Sequence, residues 1–302
     1  MIVNVLMSTY NGEKYLREQL DSILAQKDVE VKILVRDDGS KDSTLSILEQ
    51  YVEKYPCIDY YRGDNLGPTY SFLDLLKHAP EGDFYAFSDQ DDYWYPDKLI
   101  SGLTMLNSLD LSKPAMYFSN LNVVDENLKF CRLSHNKSQF QENKYSCLAE
   151  YMPTGCTMVF NRKLVDLANM KTPEWTTMHD IWLYLICMFL GSTVYDFTPH
   201  ISYRIHGDNV IGAYKKKTLS VYWEHLKRLF DRDEQPKLNN AISFYKCYGD
   251  MLGEKDKEKV LEIVNYKKSF GNWMKLLFDR DFTATDMSRE IRNRILILMR
   301  IF

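Results

Sequence analysis

The chain has 302 residues, of which 45% are hydrophobic and 26% charged, and a formal net charge of −4. That length allows one large α/β domain, or one of about two hundred residues with a smaller appendage. The composition is that of an ordinary globular protein, and a pI near 5.9 without a recognisable RNA or DNA module argues against nucleic acid as a partner. The six cysteines, Cys57, Cys131, Cys147, Cys156, Cys187 and Cys247, contain no CxxC pair and read as buried, reduced thiols, not a zinc knuckle or a disulfide framework.

From the N-terminus, strand and helix patterns alternate. Residues 3–7 form a short apolar strand, and Leu16, Leu20, Ile23 and Leu24 then fall on one face of an amphipathic helix. A second strand at 31–35 ends in Arg36-Asp37-Asp38-Gly39-Ser40. The helix after it carries Leu45, Leu48, Val52 and Tyr55 on one side, with Asp42 or Ser43 as its cap. A strand at 58–61, a helix at 70–78 and a strand at 84–87 complete a β-α-β-α-β-α-β run, which predicts a mostly parallel sheet with helices on both faces. Further on, helices are expected at 96–109, 163–168 and 181–190, and strands at 115–124, 156–160, 193–197 and 201–205. Residues 125–150 read as a polar stretch, and the chain from about 216 onward reads as helical.

In open parallel sheets ligands bind beyond the carboxyl ends of the strands, and each polar cluster lies at such an end. Phe84-Tyr85-Ala86-Phe87 runs straight into Ser88-Asp89-Gln90-Asp91-Asp92, three carboxylates within four positions. Carboxylates crowded in this way raise one another's pKa unless a cation neutralises them, and a hard divalent ion, Mg²⁺ or Mn²⁺, suits oxygen ligands of this kind. The bland alternative is a solvated loop ahead of the next helix. Asp37-Asp38-Gly39-Ser40 is equally a ribose- or base-binding acid pair or a good turn sequence. Asp180, at the start of the 181–190 helix, is either a helix cap or a general base facing a cleft. His206, in Tyr203-Arg204-Ile205-His206-Gly207-Asp208-Asn209, taken alone reads as a structural histidine.

Together, these strings resemble the family 2 glycosyltransferases with the GT-A fold. The resemblance rests on residues 5–12, 37–44, 64–67, 88–94, 96–99, 154–158 and 179–182, and covers about residues 1–212. It implies that Ser8, Tyr10, Asp38 and Asp89 bind the nucleotide, with Asp38 reading the pyrimidine and Asp89 near the ribose. It further implies that Asp91, Asp92 and His206 hold the metal and that Asp180 is the catalytic base. Asn65, Gly67, Trp94, Lys98, Thr154, Gly155, His179, Trp182 and Arg204 would line the donor and acceptor pocket. His179-Asp180 stands where the family more often has Glu-Asp, and no QxxRW string is evident. The SDQDD and HDxW variants look most like bacterial rhamnosyltransferases, which use dTDP-L-rhamnose to build cell-wall or capsular polysaccharide.

The resemblance thus implies inverting transfer of a sugar from a nucleotide-sugar donor to an oligosaccharide or lipid-linked saccharide acceptor. A UDP-sugar transferase of the same fold and a catalytically silent carbohydrate-binding scaffold are the alternatives. A sugar nucleotidyltransferase ranks lower, because residues 8–13 hold one glycine and no triphosphate-wrapping loop.

Residues 1–212 carry 19 Lys and Arg against 29 Asp and Glu, whereas residues 213–302 carry 19 against 13. This asymmetry divides the chain into an acidic catalytic domain, 1–212, and a basic helical region, 213–302, which either is simply solvated or docks on an anionic membrane surface. Residues 2–7 are too short and too polar in flank for a secretory signal, and the apolar run 181–190 is half of the ~20 residues a spanning helix needs. The expectation is a cytoplasmic protein, peripheral at the inner face of the membrane if the tail docks.

Overall fold

The computed structural model describes residues 1–135, 143–207 and 235–302. Asp208, Asn209, the basic cluster Lys215, Lys216 and Lys217, and Lys227 with Arg228 lie outside the described residues.

The N-terminal half alternates as its periodicity predicts. It runs β1 (Ile2–Thr9), α1 (Leu16–Leu24), β2 (Glu30–Asp37), α2 (Thr44–Lys54), β3 (Ile58–Arg62), α3 (Gly67–Lys77) and β4 (Phe84–Ser88). Helix α2 buries Thr44, Ile47, Leu48 and Tyr51, one face at i, i+3, i+4 and i+7. Its N-cap position is Ser43, without a side-chain cap, and Asp42 just before it accepts the Thr44 N–H through Oδ1 at 3.0 Å. The remaining elements are β5 (Tyr93–Trp94), α4 (Lys98–Leu106), β6 (Ala115–Ser119), β7 (Asn122–Val124), β8 (Phe130–Leu133), β9 (Val159–Asn161), α5 (Arg162–Met170), α6 (His179–Leu190), β10 (Ser192–Asp196) and β11 (Ile201–Arg204). Among the described residues four helices follow: α7 (Pro236–Tyr248), α8 (Glu254–Asn265), α9 (Phe270–Phe278) and α10 (Met287–Leu298).

The main sheet has seven strands in the order β10-β6-β9-β4-β1-β2-β3. All neighbours are parallel except β9, which runs antiparallel to both β4 and β6. Strand β1 is central to the first half, pairing Thr9 with Asp37 on one side and Met7 with Ser88 on the other. The polar residues that follow β1, β2 and β4 therefore emerge together at one sheet edge. A second sheet, β5-β11-β7-β8, stands beside it.

Several expected elements are corrected. The single strand at 115–124 is two strands in different sheets. Asn120 turns the chain between them, because its Oδ1 accepts the N–H groups of Leu121 at 2.9 Å and His135 at 3.0 Å. The 125–150 stretch is not uniformly polar surface: it holds β8 and a short 3₁₀ helix, Lys144–Leu148, whose Tyr145, Cys147 and Leu148 enter the core. The strand expected at 156–160 begins as a 3₁₀ turn, Gly155–Thr157, because Thr154 O accepts the Thr157 N–H at 2.9 Å. Among the cysteines only Cys147, Cys156 and Cys187 are buried, and Cys131 is exposed.

Helix α6 is apolar on nearly every side because it is covered on nearly every side: ten of its twelve residues are buried. Its Trp182 ring lies 5.7 Å from that of Tyr248 and 6.2 Å from that of Phe244, both on α7. The C-terminal helices thus share one hydrophobic core with the sheet, from Leu6 and Phe87 through Trp182 to Ile263 and Ile297. No helix among the described residues is long and apolar enough to cross a membrane.

After α6 the backbone passes directly over Pro114, and a Cβ at Gly191 would stand 2.0 Å from the Pro114 carbonyl oxygen. Gly191→Ala is expected to lower stability by about 1–3 kcal/mol, read as a reduced urea midpoint. An unchanged midpoint would show that the two segments part freely.

Candidate active site

Strand β2 delivers Arg36, Asp37 and Asp38, all buried, to the sheet edge. Asp37 builds the turn: its Oδ1 accepts the N–H groups of Gly39 and Ser40, at 3.2 and 3.0 Å, and Gly39 takes the positive φ of 86° that the turn requires. The Asp38 carboxylate is committed to the chain. It pairs with Arg36 Nη1 and accepts the N–H groups of Leu66 and Gly67, each at 2.9 Å. Arg36 also reaches Asp74 at 3.0 Å, Ser71 Oγ at 3.2 Å and Asp64 O at 3.0 Å, so it ties β2 to α3 and the loop before it. Ser8 joins the same group through Ser71 Oγ at 2.6 Å. Gly67 supplies a positive φ of 73° at the start of α3, and Asn65 beside it is exposed. Tyr10 is exposed, and its backbone is held from both sides by the Gln90 amide at 2.9 and 3.1 Å.

The four carboxylates meet around the end of β4. Burial, with Asp91 and Asp180 nearby, pushes Asp89 up to about 7. Burial, with Asp91 and Asp89 beside it, holds Asp92 well above the usual carboxylate range. Asp92 is 0% exposed, and its Oδ1 accepts the Arg204 N–H at 3.1 Å. Asp91 keeps part of its surface, and its Oδ2 lies 2.8 Å from His206 Nε2. Arg204 is the clamp between these groups. Its Nε donates to Asp91 O at 2.8 Å and its Nη1 to Glu126 O at 2.6 Å, its Nη2 pairs with Glu18, and its guanidinium stacks 4.4 Å from the Tyr15 ring.

Asp180 opens α6, and its carboxylate accepts the Ile181 N–H at 2.7 Å and the Gly155 N–H at 3.0 Å. Burial pushes it up to about 6, although those two N–H groups favour the ionised form. His179 is buried at 4.0 Å on the Phe72 ring and edge-on to Phe87; neither ring nitrogen finds a partner, and burial lowers its pKa to about 3. It is a neutral packing residue behind Asp180. Gly155 leaves the room this needs, since a Cβ there would stand 2.6 Å from His179 Nε2.

The sequence-selected residues therefore sort into two sets. Ser8, Tyr10, Asn65, Gly67, Asp89, Asp91, Thr154 and His206 retain surface at the sheet edge, and Asp180 and Gly155 border it. Trp94, Lys98, His179, Trp182 and Arg204 do not line a pocket, because each is at most 3% exposed. Lys98 Nζ lies 3.7 Å from the Trp94 ring centroid without a hydrogen-bond partner, and burial lowers its pKa to about 7. The reading from sequence gave no role to Arg36, Ser71, Asp74, Gln90, Glu18 or Tyr15. A charged Arg36 ending an apolar strand was the one local sign that buried acidic partners had to exist.

Two groupings bear on a metal. Ligand atoms of Asp89, Asp92 and Cys156 lie within 4.8 Å of one another. Burial keeps the Cys156 thiol well above its ordinary pKa, and a protonated thiol is a poor ligand for a hard cation. Asp91 and His206, partly exposed and 2.8 Å apart, are a second pair that could hold a divalent ion.

The family model described as glycosyl transferase family 2 matches residues 4–167. The dTDP-rhamnosyl transferase RfbG of Shigella flexneri is 30% identical over 269 residues, 82% of this chain and 88% of that protein. The glycosyltransferase RT0329 of Rickettsia typhi is 26% identical over 209 residues, 68% of this chain and 64% of that protein. Among solved structures, S. aureus TarS 1-349 in complex with UDP-GlcNAc superposes with a TM-score of 0.60 at 19% identity, covering 100% of this chain and 82% of that one. The mannosyltransferase PcManGT from Pyrobaculum calidifontis, in complex with GDP-Man and Mn²⁺, gives 0.50 at 15% identity, with 99% and 86% covered. These likenesses show the fold, that of the GT-A glycosyltransferases.

Lysine keeps the charge of Arg204 but cannot reach its four partners from one planar group. Arg204→Lys is expected to lower stability by about 1–3 kcal/mol, measured by chemical denaturation. A loss below about 0.5 kcal/mol would mean that the clamp contributes little.

Proposed function

The chain belongs to glycosyl transferase family 2, and from that premise we propose that it transfers L-rhamnose from dTDP-L-rhamnose, with inversion, to an oligosaccharide or lipid-linked saccharide in surface polysaccharide synthesis. The observation that carries the donor assignment is the 30% identity to a dTDP-rhamnosyl transferase over most of both chains. Sugar transfer itself follows from the family. With a lipid-linked acceptor the protein works as a peripheral protein at the inner face of the cell membrane.

In this reading Asp180 is the base. Two backbone N–H groups fix its carboxylate, and an elevated pKa near 6 leaves it ionised at neutral pH yet basic enough to accept a proton. The acceptor oxygen forms a bond to the anomeric carbon as its proton passes to Asp180, and the bond from that carbon to the diphosphate breaks on the opposite face. Ser8, Tyr10 and Asp89 border the nucleotide. Asp38 acts there by fixing the loop at residues 64–67, since its oxygens are engaged. Asp91 and His206 are proposed to hold a divalent ion, Mg²⁺ or Mn²⁺, which when bound would offset the charge that grows on the leaving diphosphate. Asp92, whose buried Oδ2 finds no hydrogen-bond partner and whose ligand atom lies within 4.8 Å of that of Asp89, would add a further carboxylate oxygen.

Isothermal titration with dTDP, UDP, GDP and CDP, each with Mn²⁺ and with EDTA, tests the donor. Metal-dependent preference for dTDP, followed by turnover of dTDP-L-rhamnose, is the expected result. Preference for UDP would change the sugar within the family, and no nucleotide binding would favour a silent scaffold.

A general base must be deprotonated, so kcat is expected to fall as the pH drops through about 6. Asp180→Asn should lower kcat by about a thousandfold or more while leaving donor affinity within about threefold. A parallel loss of donor binding and folding would return Asp180 to the role of a helix cap.

A further inference from the structure

Helix α10 is built inside out. It is held to the body of the protein by polar groups: Asn293 Nδ2 donates to Ala149 O at 3.1 Å, and Lys237 Nζ donates to Asn293 Oδ1 at 2.6 Å. The Arg294 guanidinium donates to the carbonyl oxygens of Leu276, Leu277, Asp279 and Phe282, at 2.7–3.0 Å. Only Ile297 among its aliphatic residues is fully buried. Met287, Ile291, Ile295, Leu298 and Met299 instead face outward, 75, 53, 48, 55 and 44% exposed. At 100° per residue these five occupy a single stripe about 120° wide. The packed neighbour α9, whose Trp273 Nε1 donates to Ile297 O at 2.8 Å, exposes Phe270 and Phe278 by 67 and 69%.

Charge identifies what covers this stripe. Residues 267–302 hold eight basic and four acidic residues. All four acids are ion-paired within the fold: Asp279 and Asp281 share Lys259, Asp286 pairs with Arg289, and Glu290 with Arg294. Lys268, Arg280, Arg292 and Arg300 are exposed and form no ion pair among the described residues. A contiguous exposed apolar face marks an interaction site. A second copy would bring the same uncompensated cations against one another across a twofold axis, whereas anionic lipid headgroups would neutralise them as the aliphatic stripe entered the acyl boundary.

We propose that the outer face of α10, with Phe270 and Phe278 of α9, is a docking surface for an anionic lipid bilayer. The inference deepens the reading of a lipid-linked acceptor by naming the surface that meets the membrane. Its test uses neither donor nor acceptor, so it can fail while nucleotide binding succeeds. The full chain is sedimented with vesicles of phosphatidylcholine, with and without phosphatidylglycerol. Wild type should bind the anionic vesicles, and binding should fall by at least about tenfold in Ile291→Ser/Ile295→Ser/Leu298→Ser and in Arg292→Glu/Arg300→Glu. Because every substituted side chain is exposed, thermal midpoints should hold; if the triple variant's midpoint falls, Phe270→Ser/Phe278→Ser reads the same surface from α9. No binding to anionic vesicles, or binding that none of these variants weakens, overturns the proposal. So does a lipid-free dimer in light scattering that the triple variant converts to monomer, which would assign the face to a second copy.

Discussion

Carboxylates brought together in a region of low dielectric repel one another, and a fold that places four of them at one edge must offset that cost. Here Asp89, Asp91, Asp92 and Asp180 share the end of β4 and the start of α6, and the surrounding structure is arranged around them. Arg204 reaches the Asp91–Asp92 turn through backbone and side chain while anchoring to Glu18 and Glu126. Two backbone N–H groups hold Asp180. His206 faces Asp91. Burial raises the pKa values of Asp89, Asp92 and Asp180, and for Asp89 and Asp92 the neighbouring carboxylates add to it.

The sheet explains how residues so distant in sequence come together. Parallel pairing of β1 with β2 and β4 sends the loops after these three strands from the same edge, and the reversed strand β9 brings the chain back beside β4, next to the Gly155–Thr157 turn. Helix α6 can then present Asp180 from a wholly apolar body. Trp182, two residues later, is turned into the core against α7. The C-terminal helices support the catalytic half through this contact, and their outer surface is free for another purpose. The polar anchoring of α10, opposite an apolar stripe, is the reverse of an ordinary surface helix, and only Ile297 and the partly buried Leu296 join it to the core.

The alternation of β1 to β4 and the nature of the acidic loops were legible in the sequence, because strand and helix periodicities are local and turn chemistry is set by neighbours. The family resemblance, not periodicity, set His206 beside Asp91 and Asp180 near Asp89, and the structure holds His206 Nε2 2.8 Å from Asp91 Oδ2. The extent of burial was not legible. Lys98, Trp94, Trp182 and Arg204 stood in motifs beside the acids and were read as pocket residues, yet each is turned inward. Side-chain direction in an irregular loop depends on which distant backbone N–H or ring it meets, and no spacing encodes that.

The sequence by itself determined the order of elements, the carboxylate-rich strand ends and the acidic-to-basic change along the chain, all properties of neighbours within a few residues. Only the tertiary structure decided that the strand at 115–124 divides between two sheets, that Asp38 is spent on internal hydrogen bonds while Asp92 is buried against the Arg204 N–H, and that the aliphatic face of α10 points outward. Each of these depends on a partner far away in the chain: Asn120 on His135, Asp92 on Arg204, Asn293 on Ala149. Long-range pairs of this kind are chosen by the free energy of the whole packed core, and a local pattern carries no record of that choice.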